Sequence, residues 1–252
     1  MRRSLLIGLI VTLVLSTLGW AVDYSRIGQT ESVDDSTVFS MREDWMPSVV
    51  GTGTLAQYGW TVRSIGGSPT TTFIAGVYPN LGIAHLATTT TDTQGASIGM
   101  DTNSIGPLGN MAAYAFDSRW VFRIPTTTTV RVRVGFFAGT GAGATEPADG
   151  MWVRYDTTVS DTAFFFETRG SSNSTPVTSG VNVNANFNTI RIRSVTPGTI
   201  LFSLNGGAET SIAATVPTAN MTPGAIVTTA GVGVSRTLDL DFFGMRVAGL
   251  GR

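Results

Sequence analysis

The chain has 252 residues, of which 42% are hydrophobic and 13% charged. The charged fraction is about half the usual value of roughly 25%, which excludes disorder driven by high charge. A net charge of −1 excludes the basic surface that nucleic-acid binding normally needs, and the lack of Cys excludes disulfides, thiolate nucleophiles and iron–sulfur clusters. Every basic residue is Arg, and with a single His no site of this chain can use two His side chains.

The first predicted element is an apolar segment. Residues 4–22 carry no charge and follow Arg2 and Arg3. A basic start before an apolar run is typical of a secretory signal, here with cleavage after Ala21, and the run is also near the length that spans a bilayer as an anchor. A third interpretation is a hydrophobic helix or arm that packs within an assembly. The polar stretch 23–42 that follows is predicted to be a linker or part of the arm.

From residue 43 onward the sequence predicts short strands. Apolar and polar side chains alternate over residues 60–65, 129–134 and 238–243, which is typical of strands with one buried face. Asn205-Gly206 between two such runs predicts a hairpin, because this pair suits a turn with positive φ. About a dozen such runs predict an antiparallel two-sheet sandwich or jelly roll over residues 43–252. The large rings expected between the sheets are Trp45, Trp60, Trp120, Phe122, Trp152, Phe202 and Phe242.

Several segments also follow one another in a recognisable order. They are Glu43-Asp44-Trp45, Tyr58-Gly59-Trp60-Thr61-Val62, residues 79–88 (PNLGIAHLAT), 120–125 (WVFRIP), 130–137 (VRVRVGFF), 147–156 (PADGMWVRYD) and 236–243 (RTLDLDFF), closing on residues 249–252. This order resembles the concanavalin A-like (laminin G-like) jelly-roll domain of tailed-phage virion structural proteins. The resemblance implies an all-β fold, an antiparallel two-sheet jelly-roll sandwich preceded by the N-terminal hydrophobic helix or arm. It also implies a virion setting, but no particular activity.

Residues for acid–base catalysis are few. Glucanases of this fold carry closely spaced Glu-x-Asp-x-x-Glu residues on one strand, and none of the five Glu has that spacing. Asp239 and Asp241 share one side of a strand, and their alternation with leucines predicts an outward polar face. The acids left for a polysaccharide-cleaving enzyme are Glu146, Glu167, Asp239 and Asp241. His85 is predicted to be a half-buried, hydrogen-bonded strand residue and not the base of a serine triad. We therefore predict that the chain is not an enzyme.

Calcium is the one metal for which the sequence offers ligands. Asp149, Asp156 and Asp161 cluster around one predicted hairpin, and carboxylate oxygens are what calcium prefers. Concanavalin A-like relatives often hold calcium, so the resemblance implies the same metal. The alternative is that Asp149-Gly150 forms an ordinary turn. No other cofactor is predicted.

Two features bear on surface contacts. Alternation places four arginines on the solvent face of their strands, where they aid solubility or bind the carboxylates of acidic sugars: Arg131, Arg133, Arg191 and Arg193. Three consecutive rings at residues 164–166 cannot all face one core, so at least one ring points outward, to a subunit contact or a ligand. Low charge and these rings predict a homo-oligomer.

These observations predict a non-enzymatic virion structural protein, either a head decoration, a fibre or a tail-associated protein. Its jelly roll would contact other virion proteins, further copies of itself or a cell-surface glycan, and its location would be the virion. The alternative is a secreted or membrane-anchored, lectin-like carbohydrate-binding protein at the cell surface, which the apolar residues 1–22 favour. Nucleic acid is not an expected partner, and a membrane is one only if residues 1–22 remain as an anchor.

Overall fold

The computed structural model describes residues 38–45, 54–55, 60–75, 82–100, 114–138 and 147–248. The apolar segment 1–22 and Glu146 lie outside these ranges. The strands of the described ranges are β1 Val38–Glu43, β2 Thr54–Leu55, β3 Trp60–Ile65, β4 Thr70–Ala75, β5 Gly82–Ala87, β6 Gly95–Met100, β7 Ala115–Arg123, β8 Val130–Ala138, β9 Gly150–Asp156, β10 Ala163–Gly170, β11 Asn173–Asn182, β12 Asn188–Thr196, β13 Thr199–Leu204, β14 Thr210–Ile212, β15 Met221–Thr229 and β16 Thr237–Ala248. No helix in these ranges is long and apolar enough to cross a membrane.

The strands form two antiparallel sheets. Sheet I has the order β14-β13-β12-β7-β16-β5-β4, with β1 also paired to β16, and sheet II has the order β11-β10-β9-β8-β15-β6-β3-β2. Half of the neighbouring pairs join strands that are not consecutive in the chain, such as β7 with β16 and β8 with β15, so long-range pairing holds each sheet together as in a jelly roll. This arrangement confirms the all-β, two-sheet sandwich that the alternating runs predict.

The core between the sheets is built around tryptophan. Trp60 lies with its ring centroid 4.8 Å from that of Trp45 and 6.1 Å from that of Trp120. Trp120 in turn lies 4.2 Å from Phe243. All four rings are fully buried, and each buried ring contributes about 1.5–3 kcal/mol through the hydrophobic effect. The predicted burial of the tryptophans at the sheet interface is therefore confirmed for these three.

Trp152 is also buried, but not between the sheets. It forms a second, smaller cluster with Ile65, Phe137 and Ile226, whereas its neighbours Met151 and Val153 belong to the main core. Alternation along β9 therefore puts Trp152 on the outer face of sheet II. There its ring stacks on Phe137, with centroids 5.4 Å apart.

The expected burial of Phe242 between the sheets is wrong. The pairing of β16 with β7 shifts register between Leu240 and Phe242, so one residue of β16 is extra at this point. An extra residue reverses the alternation beyond it. Phe243 thus enters the core, while the half-buried Phe242 turns to the outer face of sheet I, where the guanidinium of Arg42 lies 5.3 Å from its ring centroid.

The sandwich begins earlier than residue 43. Strand β1 starts at Val38 and pairs with β16, although residues 23–42 are predicted to be a linker. Met41 is buried in the main core while Arg42 is exposed, so β1 is one short amphipathic strand. Its single alternation is too brief to stand out within a polar sequence.

Candidate functional site

The outer face of sheet I carries most of the exposed charge of the described strands. Along β7 every second side chain is buried, which leaves Asp117, Arg119 and Arg123 on the outer face. Neighbouring strands add Arg191 and Arg193 from β12, and Asp239 from β16. The cross-strand register sets guanidinium and carboxylate groups beside one another, as is usual on a solvent-facing sheet.

One end of this face holds a buried carboxylate. Asp239 is 1% exposed, with one oxygen 2.6 Å from Nδ1 of His85 and the other accepting a 2.9 Å hydrogen bond from Nε of Arg123. The Arg123 guanidinium in turn lies 4.7 Å from the ring centroid of Phe187. His85 is half-buried and hydrogen-bonded, as the sequence predicts. Asp239 lies on the outer face, as the alternation predicts, but its expected exposure is wrong, because these flanking side chains cover it.

Asp241 is the extra residue of the β16 bulge. Partial burial, together with the negative charge of Asp44, raises the pKa of its carboxyl from 3.8 to about 6. Asp44 itself accepts a hydrogen bond from the Arg42 guanidinium at 3.2 Å. The two aspartates therefore differ in their surroundings: Asp239 is covered by His85 and Arg123, whereas Asp241 lies beside another acid.

The β14 side of the sheet I face contains an open groove, called here the polar groove, with a volume of about 790 Å³. It is lined by Arg119, Thr189, Arg191, Ser203, Asn205, Gly206, Gly207 and Glu209. One wall is the turn between β13 and β14, where Asn205 and Gly206 have φ of 53° and 73°. These positive values confirm the Asn-Gly hairpin that the sequence predicts.

Hydrogen bonds fix this wall in place. The Asn205 side chain accepts a 2.8 Å hydrogen bond from the backbone N–H of Thr189, and its amide donates to Asn188 at 2.9 Å. The turn is thereby tied to β12 as well as to β13. A binding surface built on such a turn needs little reordering when a ligand arrives.

The arginines of the groove differ in their partners. Arg191 binds Asp117 through Nε at 2.8 Å, and Arg193, just outside the lining, binds Glu209 through Nε at 2.5 Å. The hydrogen bond from Arg193 lowers the pKa of Glu209. Arg119 has no carboxylate partner within the described part of the chain; its guanidinium lies 5.9 Å from the ring centroid of Phe242.

The outer face of sheet II carries a second set of charges, which is largely buried. Glu167 is 2% exposed and accepts hydrogen bonds from Trp152 Nε1 at 3.3 Å and from Arg154 Nη1 at 3.0 Å. Arg154 Nε also donates to Asp161 at 3.1 Å. One guanidinium thus holds two carboxylates, which neutralises charge that would be costly to bury alone.

The outer face of sheet II tests two predictions from the sequence, the exposure of Arg133 and the outward ring among residues 164–166. Arg133, predicted to face solvent, is 2% exposed and lies 3.8 Å from Asp156, so that prediction is wrong; alternation gives the side of the sheet and not whether that side is covered. Of the three consecutive rings, Phe164 and Phe166 enter the core. Phe165 points outward and is half-buried beside the Arg154 guanidinium, 5.3 Å from its ring centroid, so the outward ring is confirmed.

The three predicted calcium ligands are not brought together. Asp149 precedes β9 and accepts a hydrogen bond from the Ser171 backbone at 3.0 Å, whereas Asp156 ends β9. Asp156 and Asp161 are neighbours, but both are engaged by arginine and by backbone N–H groups. Across the described ranges, no three His, Asp or Glu side chains form a group that could hold a metal ion.

The candidate catalytic acids are also dispersed. Glu167 lies on the outer face of sheet II, whereas Asp239 and Asp241 lie on sheet I. Glu146 is outside the described residues. The polar groove combines residues from separate segments, and the sequence singles out neither Arg119 nor Glu209 as a binding residue. The sequence gives one indication of the groove: alternation along β7 places Arg119 on the outer face, as alternation along β12 does for its arginines.

No protein-family model and no curated protein matches this chain. Among solved structures, a protein of unknown function from Shewanella oneidensis MR-1 is similar with a TM-score of 0.65 and 14% identity, over 91% of this chain and 95% of that one. A β-glucanase from Bacillus licheniformis gives a TM-score of 0.52 and 12% identity, over 83% and 97%. A carbohydrate esterase from the Shiga toxin-encoding bacteriophage phi24B gives 0.50 and 9%, over 75% and 90%. At such identities the likeness establishes a concanavalin-like sandwich fold.

Proposed function

We propose that this protein is a non-enzymatic virion component, a head decoration, fibre or tail-associated protein, whose jelly-roll domain binds a surface glycan. The observation that carries the proposal is the polar groove, which is open, anchored on a hydrogen-bonded turn and lined by hydroxyl, amide and guanidinium groups. A few polar groups held in fixed positions within a concave surface are what orients a small polar ligand. Saccharides offer the matching hydroxyl groups.

The candidate acids favour binding over catalysis. Glycoside hydrolysis uses two carboxyl groups about 5–10 Å apart across the scissile bond. Glu167 and Asp239 lie on different sheets, and each is held by arginine. We expect no release of reducing sugar from any polysaccharide that the protein binds. Release that disappears in Asp241→Asn would contradict the non-enzymatic proposal.

The virion setting is supported by the ordered resemblance to tailed-phage proteins and by the phage esterase that shares the fold. Fractionation of purified particles followed by mass spectrometry tests it directly. We expect the chain to copurify with particles in a fixed ratio to the other structural proteins. Its absence from purified particles would refute this part of the proposal and leave the carbohydrate site standing.

Carbohydrate binding is tested on an array of glycans with the whole chain. We expect binding to a restricted set of glycans, with loss of the signal when the turn is altered by Asn205→Ala. Ser171→Ala, at an exposed turn on the other sheet, is the matched control and should bind as the parent does. Binding that survives the Asn205 change would move the site away from the polar groove.

Assembly is expected through faces of the sandwich more than through its edges. The long edge strand β11 contains Pro176, which donates no hydrogen bond, and Gly180 with a φ of 71°. Both features discourage another strand from adding to this edge. Other virion proteins, or further copies of this chain, would then contact a sheet face.

A secreted or membrane-anchored lectin-like protein at the cell surface is the second candidate. The uncharged residues 4–22 behind two arginines favour it. The mature N-terminus separates the two candidates. A chain that begins at Val22 supports export, and an intact Met1 supports assembly into a particle or an uncleaved anchor.

A further inference from the structure

The charge in and around the polar groove is unbalanced. Among the described residues, the groove and its rim carry three arginines, Arg119, Arg191 and Arg193, against two acids, Asp117 and Glu209. Each acid already has an arginine partner, Asp117 with Arg191 and Glu209 with Arg193. The chain as a whole has a net charge of −1, so the local excess of positive charge is a property of this face and not of the composition.

Among the described residues, Arg119 is the groove arginine that has no carboxylate partner. Its side chain is exposed, and its guanidinium lies 5.9 Å from the ring centroid of Phe242. Its cross-strand partners are Arg191 on one side and Gly244 on the other. Arg191 carries the same charge and Gly244 has no side chain, so neither cross-strand partner can neutralise the Arg119 guanidinium.

The ring of Phe242 gives this guanidinium a fixed support. A Cβ atom at Gly244 would lie 2.8 Å from Cζ of Phe242, so the ring lies over Gly244 and beside its cross-strand partner Arg119. A cation near a ring within about 6 Å is stabilised by the ring quadrupole. The bulge that turns Phe242 outward therefore also positions Arg119. Contact with the ring face leaves the N–H groups of the planar guanidinium able to donate to a ligand.

An arginine fork held in this way is suited to a carboxylate, which accepts two parallel hydrogen bonds from it. The hydroxyl groups of Ser203 and Thr189 line the same groove and can bond sugar hydroxyls. We propose that the polar groove selects saccharides that carry a carboxylate, with Arg119 binding the acid group. This inference rests on the proposed carbohydrate-binding function and adds the class of sugar.

The test uses the whole chain and an array of uronate and sialylated saccharides, each beside its methyl ester. Esterification removes the charge and keeps the sugar. We expect the best acidic saccharide to bind about tenfold or more tightly than its ester, as loss of a charge-assisted hydrogen bond predicts. Isothermal titration then compares Arg119→Gln, which should reduce this preference to near unity, with Arg246→Gln, an exposed arginine outside the groove lining, which should preserve it.

The other possible results separate the choice of carboxylate from the carbohydrate-binding function. Equal affinity for acid and ester, equal losses in the two variants, or binding of sulphated saccharides alone would overturn the choice of carboxylate while the carbohydrate-binding function stands. Failure to bind any saccharide would remove the proposed function itself. Circular dichroism melting of both variants guards against misfolding, which is not expected because both side chains are exposed.

Discussion

Two aspartates of β16, two residues apart, should respond in opposite ways to the same substitution. The pKa of Asp241 is about 6 in the folded protein against an ordinary value of 3.8, so the folded state disfavours its ionised form. A difference of two pH units is equivalent to about 3 kcal/mol. Because the carboxyl is only partly buried, solvent screening reduces this to on the order of 1 kcal/mol.

Asp241→Asn should therefore stabilise the protein at neutral pH. The folded state binds the proton more tightly than the unfolded state, so the penalty is absent below pH 3.8, develops between pH 3.8 and 6, and is complete above pH 6. Urea denaturation of the whole chain at pH 7 should show a gain of on the order of 1 kcal/mol in the free energy of unfolding. The gain should shrink as the pH is lowered towards 4.

Asp239→Asn is the matched control on the same strand. Its carboxylate is 1% exposed and bridges Arg123 and His85. Removing it leaves a partly buried guanidinium without its partner, which costs about 2–4 kcal/mol. An Asp241→Asn variant that is less stable than the parent at pH 7, or a gain that is the same at pH 4 and pH 7, would refute the account of the bulge.

Three further predictions concern packing and assembly. Trp152→Ala should lower the free energy of unfolding by about 3–5 kcal/mol, while Val159→Ala, 58% exposed, should stay within about half a kcal/mol; equal losses in urea denaturation would contradict the burial of Trp152. Gly135→Ala would place a Cβ 2.3 Å from the Met151 carbonyl oxygen, so we expect the free energy of unfolding to fall by about 1–3 kcal/mol or more. At Gly99 the nearest atom would be 3.5 Å from an added Cβ, so Gly99→Ala should cost much less. Light scattering should find a homo-oligomer, and a strict monomer at high concentration would argue against self-association.

Much of the fold follows from the alternation of the sequence. Runs such as Trp60–Ile65 and Val130–Ala138 carry one apolar side, and the two sheets cover those sides with each other. The Asn205-Gly206 turn is equally local, because its chemistry alone requires positive φ. These features depend on neighbours in sequence, so the sequence predicts them.

The bulge of β16 is not a local feature. Nothing in Leu238 to Phe243 marks the point where one residue loses its partner on β7, so uninterrupted alternation places Phe242 in the core and Asp239 in solvent. The bulge turns Phe242 outward, whereas Asp239 precedes the bulge and is covered on the outer face by His85 and Arg123. The register of a strand and its cover are both set by strands far away in the chain. The burial of Arg133 on an outer face has the same origin.

The polar groove shows the same limit for function. Arg119 on β7, Thr189 on β12 and Glu209 before β14 meet only because sheet I orders its strands β14-β13-β12-β7. An order that joins distant strands cannot be read from the spacing of residues along the chain. The sequence therefore predicts that arginines face outward, but not which of them lacks an acid.

The central claim is that the outer face of sheet I, and not that of sheet II, binds carbohydrate. It is tested most directly by amide chemical-shift mapping of the whole chain during titration with its best saccharide. We predict shifts at the Asn205–Glu209 turn and at Arg119, with the indole N–H of Trp152, bonded to Glu167 on sheet II, unchanged. Shifts of that indole and of β9 and β10, with the turn unmoved, would contradict the claim.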